Sequence, residues 1–508
     1  MLEKLAAARP LSALAAQAAR PVWRDWREFT ADLERHGDLK RLAAPVDRAL
    51  EITACCRHSL QHDGPALRFD QVSGAELPVL GNLWGSARRI QRALGVEGRD
   101  GLRELGRLLA FFKSPGTAAG GLTEGSAWLR WAKLRHLRAR RIADPPWRQV
   151  VAAGDAVDLA TLPITTCWPA DAGPLLTFGL VVTRGTRRAR HNVAIYRQQV
   201  IGRNRLIMRW LPHRGGAQDF RDFMADRPGE PFPLAVVIGA DPAMQLAAVA
   251  PAPDTVSEYQ LAALLRGGPN ELARCVTHDL WVPARAEIVL EGWIEPGDVA
   301  REGPFCDHTG HYGEVGEFPV FTVSRLCRRA DAVYHTSYMG RPPDDEPSML
   351  AAAFNEMFIP LLHNEFPEIV DFYLPPAACS YRLALVSIRK QYAGHARRVM
   401  LGIWSWLRQF TYTKYIVVTD DDIDVRAADQ VLWAIATRAD PVRDTLAIDK
   451  SPIDYLDFAS PVAGLGGKLG LDATRKWPGE CDRPGRRCAT PDAAAAARAA
   501  ELLAPLGL

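Results

Sequence analysis

Asn192-Val193-Ala194-Ile195-Tyr196-Arg197-Gln198-Gln199, followed across the turn Gly202-Arg203-Asn204 by Leu206 to Leu211 and then by Pro212-His213-Arg214-Gly215-Gly216, reads as two strands of a meander ending in a glycine loop. Strict alternation along the first strand places Asn192 and Arg197 on opposite faces. Both can serve one site only if the strand bulges or if one of them sits at its end. The segment combines an apolar wall, guanidinium donors and free backbone N–H groups, a mixture that suits an aromatic, phosphate-bearing cofactor. An ordinary hairpin with solvated arginines is the competing reading.

Working outward, further strands are expected at Phe178 to Thr183, Leu234 to Ile238, Ala286 to Gly292 and Phe318 to Val323, with Arg184 to Arg188 turning into the strand at Asn192. A β-barrel or strongly curved sheet is the expected core. Ser257 followed by Gln260 is a capping box ahead of Leu261, Leu264 and Leu265, and Gly267-Gly268-Pro269 stops that helix. On the N-terminal side, helical patterns at Phe29 to His36 and Leu50 to His58 mix with strands at Ala66 to Phe69 and Val79 to Leu80. Beyond Pro347, helices (Met349 to Asn364, Gly394 to Phe410, Ala427 to Ala436) alternate with strands (Ile369 to Tyr373, Tyr381 to Ser387, Tyr415 to Val418). The expected fold class is therefore α+β and multidomain. An N-terminal α/β domain (22–145) and a C-terminal α/β domain (336–480) flank the barrel (146–335), with an extension at 1–21 and a tail at 481–508.

The chain has 508 residues, enough for about three domains. With 62 Lys+Arg against 59 Asp+Glu it carries a net charge of +3, which gives no footprint for bulk nucleic-acid binding. Apolar runs such as Tyr415 to Thr419 fall far short of the ~20 residues that cross a bilayer. Met1 to Ala19 reads as a helical extension rather than a leader, since Glu3, Lys4, Arg9 and Pro10 interrupt it. The nine cysteines are scattered, so a disulfide framework is not spelled out and a reducing cytoplasm is expected. The run Arg130 to Arg148 holds seven basic residues against the single acid Asp144; it reads as a solvated helix or linker, or as a surface for peripheral contact with an anionic membrane.

The densest polar cluster is Arg301-Glu302-Gly303-Pro304-Phe305-Cys306-Asp307-His308-Thr309-Gly310-His311. Two carboxylates near an arginine, if the loop folds onto a pocket, have their pKa values pushed apart and leave one able to hold and donate a proton. A hydrated loop is the plain alternative, and Asp307 with His311 has metal-ligand residue types without a further anchor. Glu258, just after the N-cap, sits where the helix dipole favours an ionised carboxylate. Glutamate, an asparagine oxygen and a neutral histidine form a hard donor set suited to Mn²⁺ or Mg²⁺. Two look-alikes stand elsewhere in the chain, the first a distant rival enzyme reading and the second rejected. Thr419-Asp420-Asp421-Asp422-Ile423-Asp424 resembles the acidic motif of nucleotide-sugar transferases. Gly464-Leu465-Gly466-Gly467-Lys468-Leu469-Gly470 lacks the first glycine and the Ser/Thr of a phosphate loop.

Together these motifs, with Lys390-Gln391-Tyr392-Ala393-Gly394-His395-Ala396 and the run Pro452 to Pro461, resemble the UbiD family of decarboxylases, in particular the 3-polyprenyl-4-hydroxybenzoate decarboxylases of ubiquinone biosynthesis. The resemblance spans about Asp25 to Glu480. It implies a split β-barrel that binds prenylated FMN through Mn²⁺ (with K⁺ as a further ion), a flavin prenyltransferase that supplies the cofactor, and a C-terminal domain used for self-association, as a hexamer. It implies Asn192, His213 and Glu258 as metal ligands. Ile195, Tyr196, Arg197, Arg209, Trp210, Leu211, Arg214 and Gly215 fall on the cofactor-binding segments. Glu302, Arg197 and Asp307 fall on the acid–arginine–acid network, with Asp307 the proton donor. Loss of CO₂ from an electron-rich ring would leave a very basic carbanion, so an electron sink of this kind is what the chemistry needs. The implied substrate is 3-polyprenyl-4-hydroxybenzoate; another aromatic or α,β-unsaturated acid, and an inactive flavin-binding scaffold subunit, are the alternatives. Cys306, in place of a usual Gly, and an apparent extra Asp in Gly340 to Pro347 depart from the family pattern.

Overall fold

A computed structural model describes residues 23–113, 138–250, 256–406, 408–483, 489 and 492–504. The helical extension expected at Met1 to Ala19 and the part of the basic run from Arg130 to residue 137 lie outside the described residues.

The strand at Asn192 is present but interrupted, and the interruption shapes the sheet around it. Asn192–Ile195 forms one strand and Gln198–Val200 the next, with Tyr196 and Arg197 between them. The sheet runs in the order Leu175–Leu176, Gln198–Val200, Arg205–Met208, Gly316–Arg328, Ile288–Glu302, Phe232–Ile238, Leu180–Thr183, Asn192–Ile195, and Val150–Ala153 adds to Gly316–Arg328. Two strands joined by a dipeptide thus occupy the second and the eighth positions, and a flat sheet cannot satisfy that. The sheet must curl until its ends meet across Tyr196 and Arg197. Its interior is closed by Val181, Leu206, Met208, Leu234, Val236, Ile288, Leu290, Phe321 and Val323.

The strand expected to stop at Gly292 instead runs from Ile288 to Glu302, paired with Gly316–Arg328 and broken by register shifts after Glu291 and after Ile294. Glu295-Pro296-Gly297-Asp298 has turn composition, yet the pairing resumes at Val299 once the bulge is passed. The capping box forms as read: Ser257 accepts from the Gln260 N–H, Gln260 from the Ser257 N–H, and helix Glu258–Arg266 ends on left-handed Gly267.

The chain divides into two compact units, one of residues 1–367 and 374–383, the other of 368–373 and 384–508. Both internal boundaries drawn from sequence, at 145/146 and 335/336, fall inside the first unit. Arg140–Arg141 pairs with Glu271–Arg274, and Tyr334–His335 adds an edge to the sheet of Leu39–Leu42, Ala66–Phe69 and Val79–Gly81. Helix Glu346–Glu365 also packs within this unit, against Gly98–Lys113, where Arg103 pairs with Glu356 at 2.9 Å.

The second unit is a five-stranded sheet in the order Ile369–Tyr373, Leu383–Ile388, Tyr415–Asp420, Leu465–Ala473, Thr445–Pro452, with helices His395–Trp406 and Ala428–Arg438. Its glycine-rich strand is the stretch that imitates a phosphate loop. Lys468 there is buried and donates to the Thr411 and Thr413 carbonyls. The tail contributes an exposed helix, Ala493–Leu503, capped by Asp492. Among the described residues no helix is long and apolar enough to cross a membrane.

Candidate active site

The strand break resolves the alternation problem. Asn192 opens its strand, and Arg197 lies outside both strands, so neither is bound to the pleat of the other. Arg197 Nε and Nη2 donate to the two oxygens of Glu302 at 2.7 and 3.1 Å, and its Nη1 donates to Asp307 Oδ2 at 2.7 Å. Arg209, from the end of the neighbouring strand, donates to Glu302 Oε2. Glu302 ends the strand Ile288–Glu302 and is fully buried; Asp307 follows in the loop and is 6% exposed. Arg197 lies over the Phe305 ring at 5.5 Å and Arg209 over Phe318 at 5.1 Å. Two guanidinium groups thus balance two carboxylates in an enclosed volume, which is the condition under which buried charges are tolerated.

Burial alone would raise the Asp307 pKa. Hydrogen bonds from His308, through Nδ1 at 2.9 Å and N–H at 2.8 Å, together with the Arg197 charge, outweigh it and bring the group down to about 2. The resting carboxylate is therefore ionised. Cys306 is the opposite case: burial, then the charges of Asp171 and Asp307, push its thiol up to about 12, so it stays protonated and is no nucleophile.

The second cluster assembles a few residues away. Glu258 Oε2 accepts from the Val193 N–H at 3.2 Å, which sets it beside Asn192. Asn192 Nδ2 donates to Thr183 Oγ1 at 3.3 Å. A Cβ on Gly215 would lie 2.0 Å from Asn192 Oδ1, so only glycine lets the loop pass so close to that amide. Gly216 N–H donates to the Tyr196 hydroxyl at 3.0 Å, and Tyr196 stands edge-on to Trp210. Arg214, exposed, is the N-cap of helix Gly215–Asp226, the end at which a helix dipole favours negative charge. His213 lies half-buried two residues before Gly215, and Leu211 and Ile195 are half-buried.

Burial pushes the Glu258 carboxyl up, and the nearby Asp219 charge adds to it; burial likewise pushes Asp219 up. Two carboxyls held above their ordinary range are what a bound cation would relieve. Asn192 Oδ1 and the Glu258 carboxyl are hard oxygen donors, the type that suits Mn²⁺ or Mg²⁺.

Three supporting residues carry no local signal in the sequence. Asp219 accepts from Thr183 Oγ1 at 2.7 Å; Asp171 accepts from the Cys306 N–H at 3.1 Å and the Trp168 N–H at 2.9 Å; Gln199 accepts from the Gly303 N–H at 2.9 Å. Their partners Thr183, Cys306 and Gly303 come from distant segments. The apparent extra Asp in the Gly340 to Pro347 loop divides the labour there: Asp345 caps helix Glu346–Glu365, while Asp344 accepts from Arg57 at 2.8 Å and Gln61 at 2.7 Å. In the second unit, Asp420 and Asp422 are ion-paired with Arg438, and Asp422 also with Arg475, so the transferase-like motif is a salt-bridged turn. Lys390 of the Lys390 to Ala396 motif donates to Thr474 Oγ1 at 2.9 Å and to Glu480, and is an internal anchor of that unit.

Comparison with known proteins agrees with this geometry. The chain matches three family models in order: the 3-octaprenyl-4-hydroxybenzoate carboxy-lyase N-terminal domain over residues 30–109, the Rift-related domain over 140–342 and the C-terminal domain over 348–473. Among solved structures it is similar to the UbiD-class enzyme HmfF from Pelotomaculum thermopropionicum in complex with FMN, at 30% identity and TM-score 0.76, covering 92% of this chain and 98% of that one. An evolved dimeric form of that enzyme in complex with prenylated FMN matches at 28% identity and TM-score 0.74, over 93% and 98% of the two chains. The vanillic acid decarboxylase of Sedimentibacter hydroxybenzoicus, in its closed form, matches at 26% identity and TM-score 0.81, over 96% and 99%. With a curled sheet that gathers an acid–arginine–acid cluster beside a glycine cradle, and with all three domains matched in sequence order, this chain belongs to the UbiD family of decarboxylases.

Proposed function

We propose that this chain catalyses non-oxidative decarboxylation of 3-polyprenyl-4-hydroxybenzoate to 2-polyprenylphenol, with prenylated FMN and Mn²⁺. The observation that carries the reading is Arg197 bridging buried Glu302 and Asp307 while its near neighbour Asn192 packs on Gly215. Asn192, His213 and Glu258 hold the metal, and the N–H groups of the Gly215–Asp226 helix with Arg214 receive the flavin phosphate. The bound prenylated flavin supplies an electron sink for the pair left behind when CO₂ departs. Arg197 and Arg209 fix both acids, so little reorganisation is needed during the reaction.

Asp307 starts ionised and takes up a proton as an anionic substrate enters and water leaves, since both changes favour its neutral form. It then delivers that proton to the ring carbon that has lost CO₂, and solvent restores it. His308, bonded to the other oxygen, keeps the carboxyl oriented in both states.

The likeness to a vanillic acid decarboxylase supports a second reading, in which the same machinery acts on a smaller aromatic or α,β-unsaturated acid. The test is co-expression with a flavin prenyltransferase, followed by a visible spectrum and parallel assays on 4-hydroxybenzoates with and without a polyprenyl chain. Preference for the prenylated acid supports the first reading and preference for the short acid the second. Protein without flavin absorbance overturns both readings, and protein with flavin but no turnover on either acid overturns both in favour of the flavin-binding scaffold. Self-association is proposed through the second unit, where Leu432, Trp433, Val442, Phe458, Val462 and Trp477 are exposed, and a hexamer is the expected assembly.

A further inference from the structure

We propose that Cys275, His278 and Glu291 form a zinc site, separate from the flavin-site metal, that pins the Cys275–Leu280 loop to the curled sheet. The ligand atoms of the three residues all lie within 4.8 Å of one another. A tetrahedral zinc with bonds of about 2.0–2.3 Å needs them roughly 3.5 Å apart, a contraction of about 1 Å that side-chain torsions can supply.

The three residues reach the point from two directions. Cys275 and His278 stand in a Cys-x-x-His spacing on the short loop between Glu271–Arg274 and Trp281–Pro283, which the Cys275 N–H closes onto the Leu280 carbonyl at 2.8 Å. Glu291 comes from the strand Ile288–Glu302, at its first register shift. Each has an unmet need. His278 Nε2 lies 2.9 Å from the Leu234 carbonyl, which fixes that nitrogen as the donor and leaves Nδ1 with a lone pair; Nδ1 is enclosed and has no partner. An imidazole whose far N–H is held by a carbonyl is the usual arrangement of a metal-bound histidine. Glu291 is fully buried, and its bonds go to neutral groups of the loop, the N–H of Val276 and the N–H and hydroxyl of Thr277. Those bonds fall mainly on Oε2; Oε1 shares only the Val276 N–H and keeps lone pairs. Burial, and after it the charge of this carboxylate, push the thiol of Cys275 up. A divalent ion reverses that balance by taking the thiolate and releasing its proton. Thiolate, imidazole and carboxylate together favour zinc over the harder ion expected at Asn192 and Glu258.

The test uses the full-length chain, loaded with zinc, dialysed against metal-free buffer and analysed for metals. Wild-type protein should retain one zinc per chain. Cys275→Ser and His278→Gln should lose it, while Glu258→Ala should keep it, all with unchanged far-ultraviolet circular dichroism. Cobalt in place of zinc should give a thiolate-to-metal charge-transfer absorption in the wild type and none in Cys275→Ser. Retention of zinc by Cys275→Ser, loss of it in Glu258→Ala alone, or a wild-type cobalt spectrum without thiolate absorption overturns the proposal. That last measurement decides even if the variants do not fold.

Discussion

Replacing Asp307 with Asn keeps the side chain's shape and removes its charge, and its cost can be worked from the structure. The folded carboxyl titrates at about 2 against an ordinary 3.8, a difference worth about 2 kcal/mol in favour of the ionised form. Because the folded value is the lower one, that stabilisation is complete above pH ~4 and is lost as the pH falls towards 2. The Asp307→Asn variant is therefore expected to lose about 2 kcal/mol of stability at pH 7, with the gap to the parent closing below pH ~4. Thermal unfolding followed across that range measures it. Turnover should fall by about 10²–10⁴-fold, the usual worth of a positioned proton-transfer group. Flavin and metal content should not change, since Asn192, Gly215 and Glu258 stand on other elements. An Asp307→Asn enzyme that binds flavin and works within about tenfold of the parent would refute the assignment of Asp307.

Glu258→Ala should purify with less metal and less flavin, with turnover falling in proportion; full metal and flavin content would take Glu258 off the ligand set. Gly215→Ala should resemble it, because the new methyl would sit 2.0 Å from Asn192 Oδ1 and displace that amide; flavin retention equal to wild type would show that the amide does not hold the metal. Arg197→Met leaves Glu302 with Arg209 alone and Asp307 with His308 alone, and should cost about 3–5 kcal/mol of stability as well as activity; a thermal midpoint equal to the parent's would contradict the geometry. Leu432→Glu with Trp433→Glu, both exposed in the second unit, should shift the chain towards the monomer in sedimentation without unfolding it.

Features whose cause is local were legible in the sequence. The capping box at Ser257 and Gln260 and the strand Ile369–Tyr373 need only neighbours in the chain to be recognised. The acids at 302 and 307 were readable as a pair because they are five residues apart. What escaped were features decided by tertiary partners. Leu465–Ala473, with three glycines in nine residues, reads only as a failed phosphate loop, yet it is a strand because Tyr415–Asp420 and Thr445–Pro452 pair with it on either side. Asp171 and Asp219 look like solvated single acids until chain segments far from them are brought alongside. The alternation of Asn192 and Arg197 posed the correct question, but only the pairing of the flanking strands showed that the chain breaks between them.

The position of that break also sets a timetable for the growing chain. Arg197 waits for partners 105 and 110 residues later in the sequence, and at ribosomal speeds of about 5–20 residues per second that is a delay of roughly 5 to 20 s. Until the hairpin of Ile288–Glu302 and Gly316–Arg328 is made, the two ends of the sheet have no strands to join them. A nascent chain shorter than this can display Asn192, His213 and Glu258 but not the acids that Arg197 holds. Cofactor capture by a competent site is thus a late event, which follows synthesis of the whole barrel.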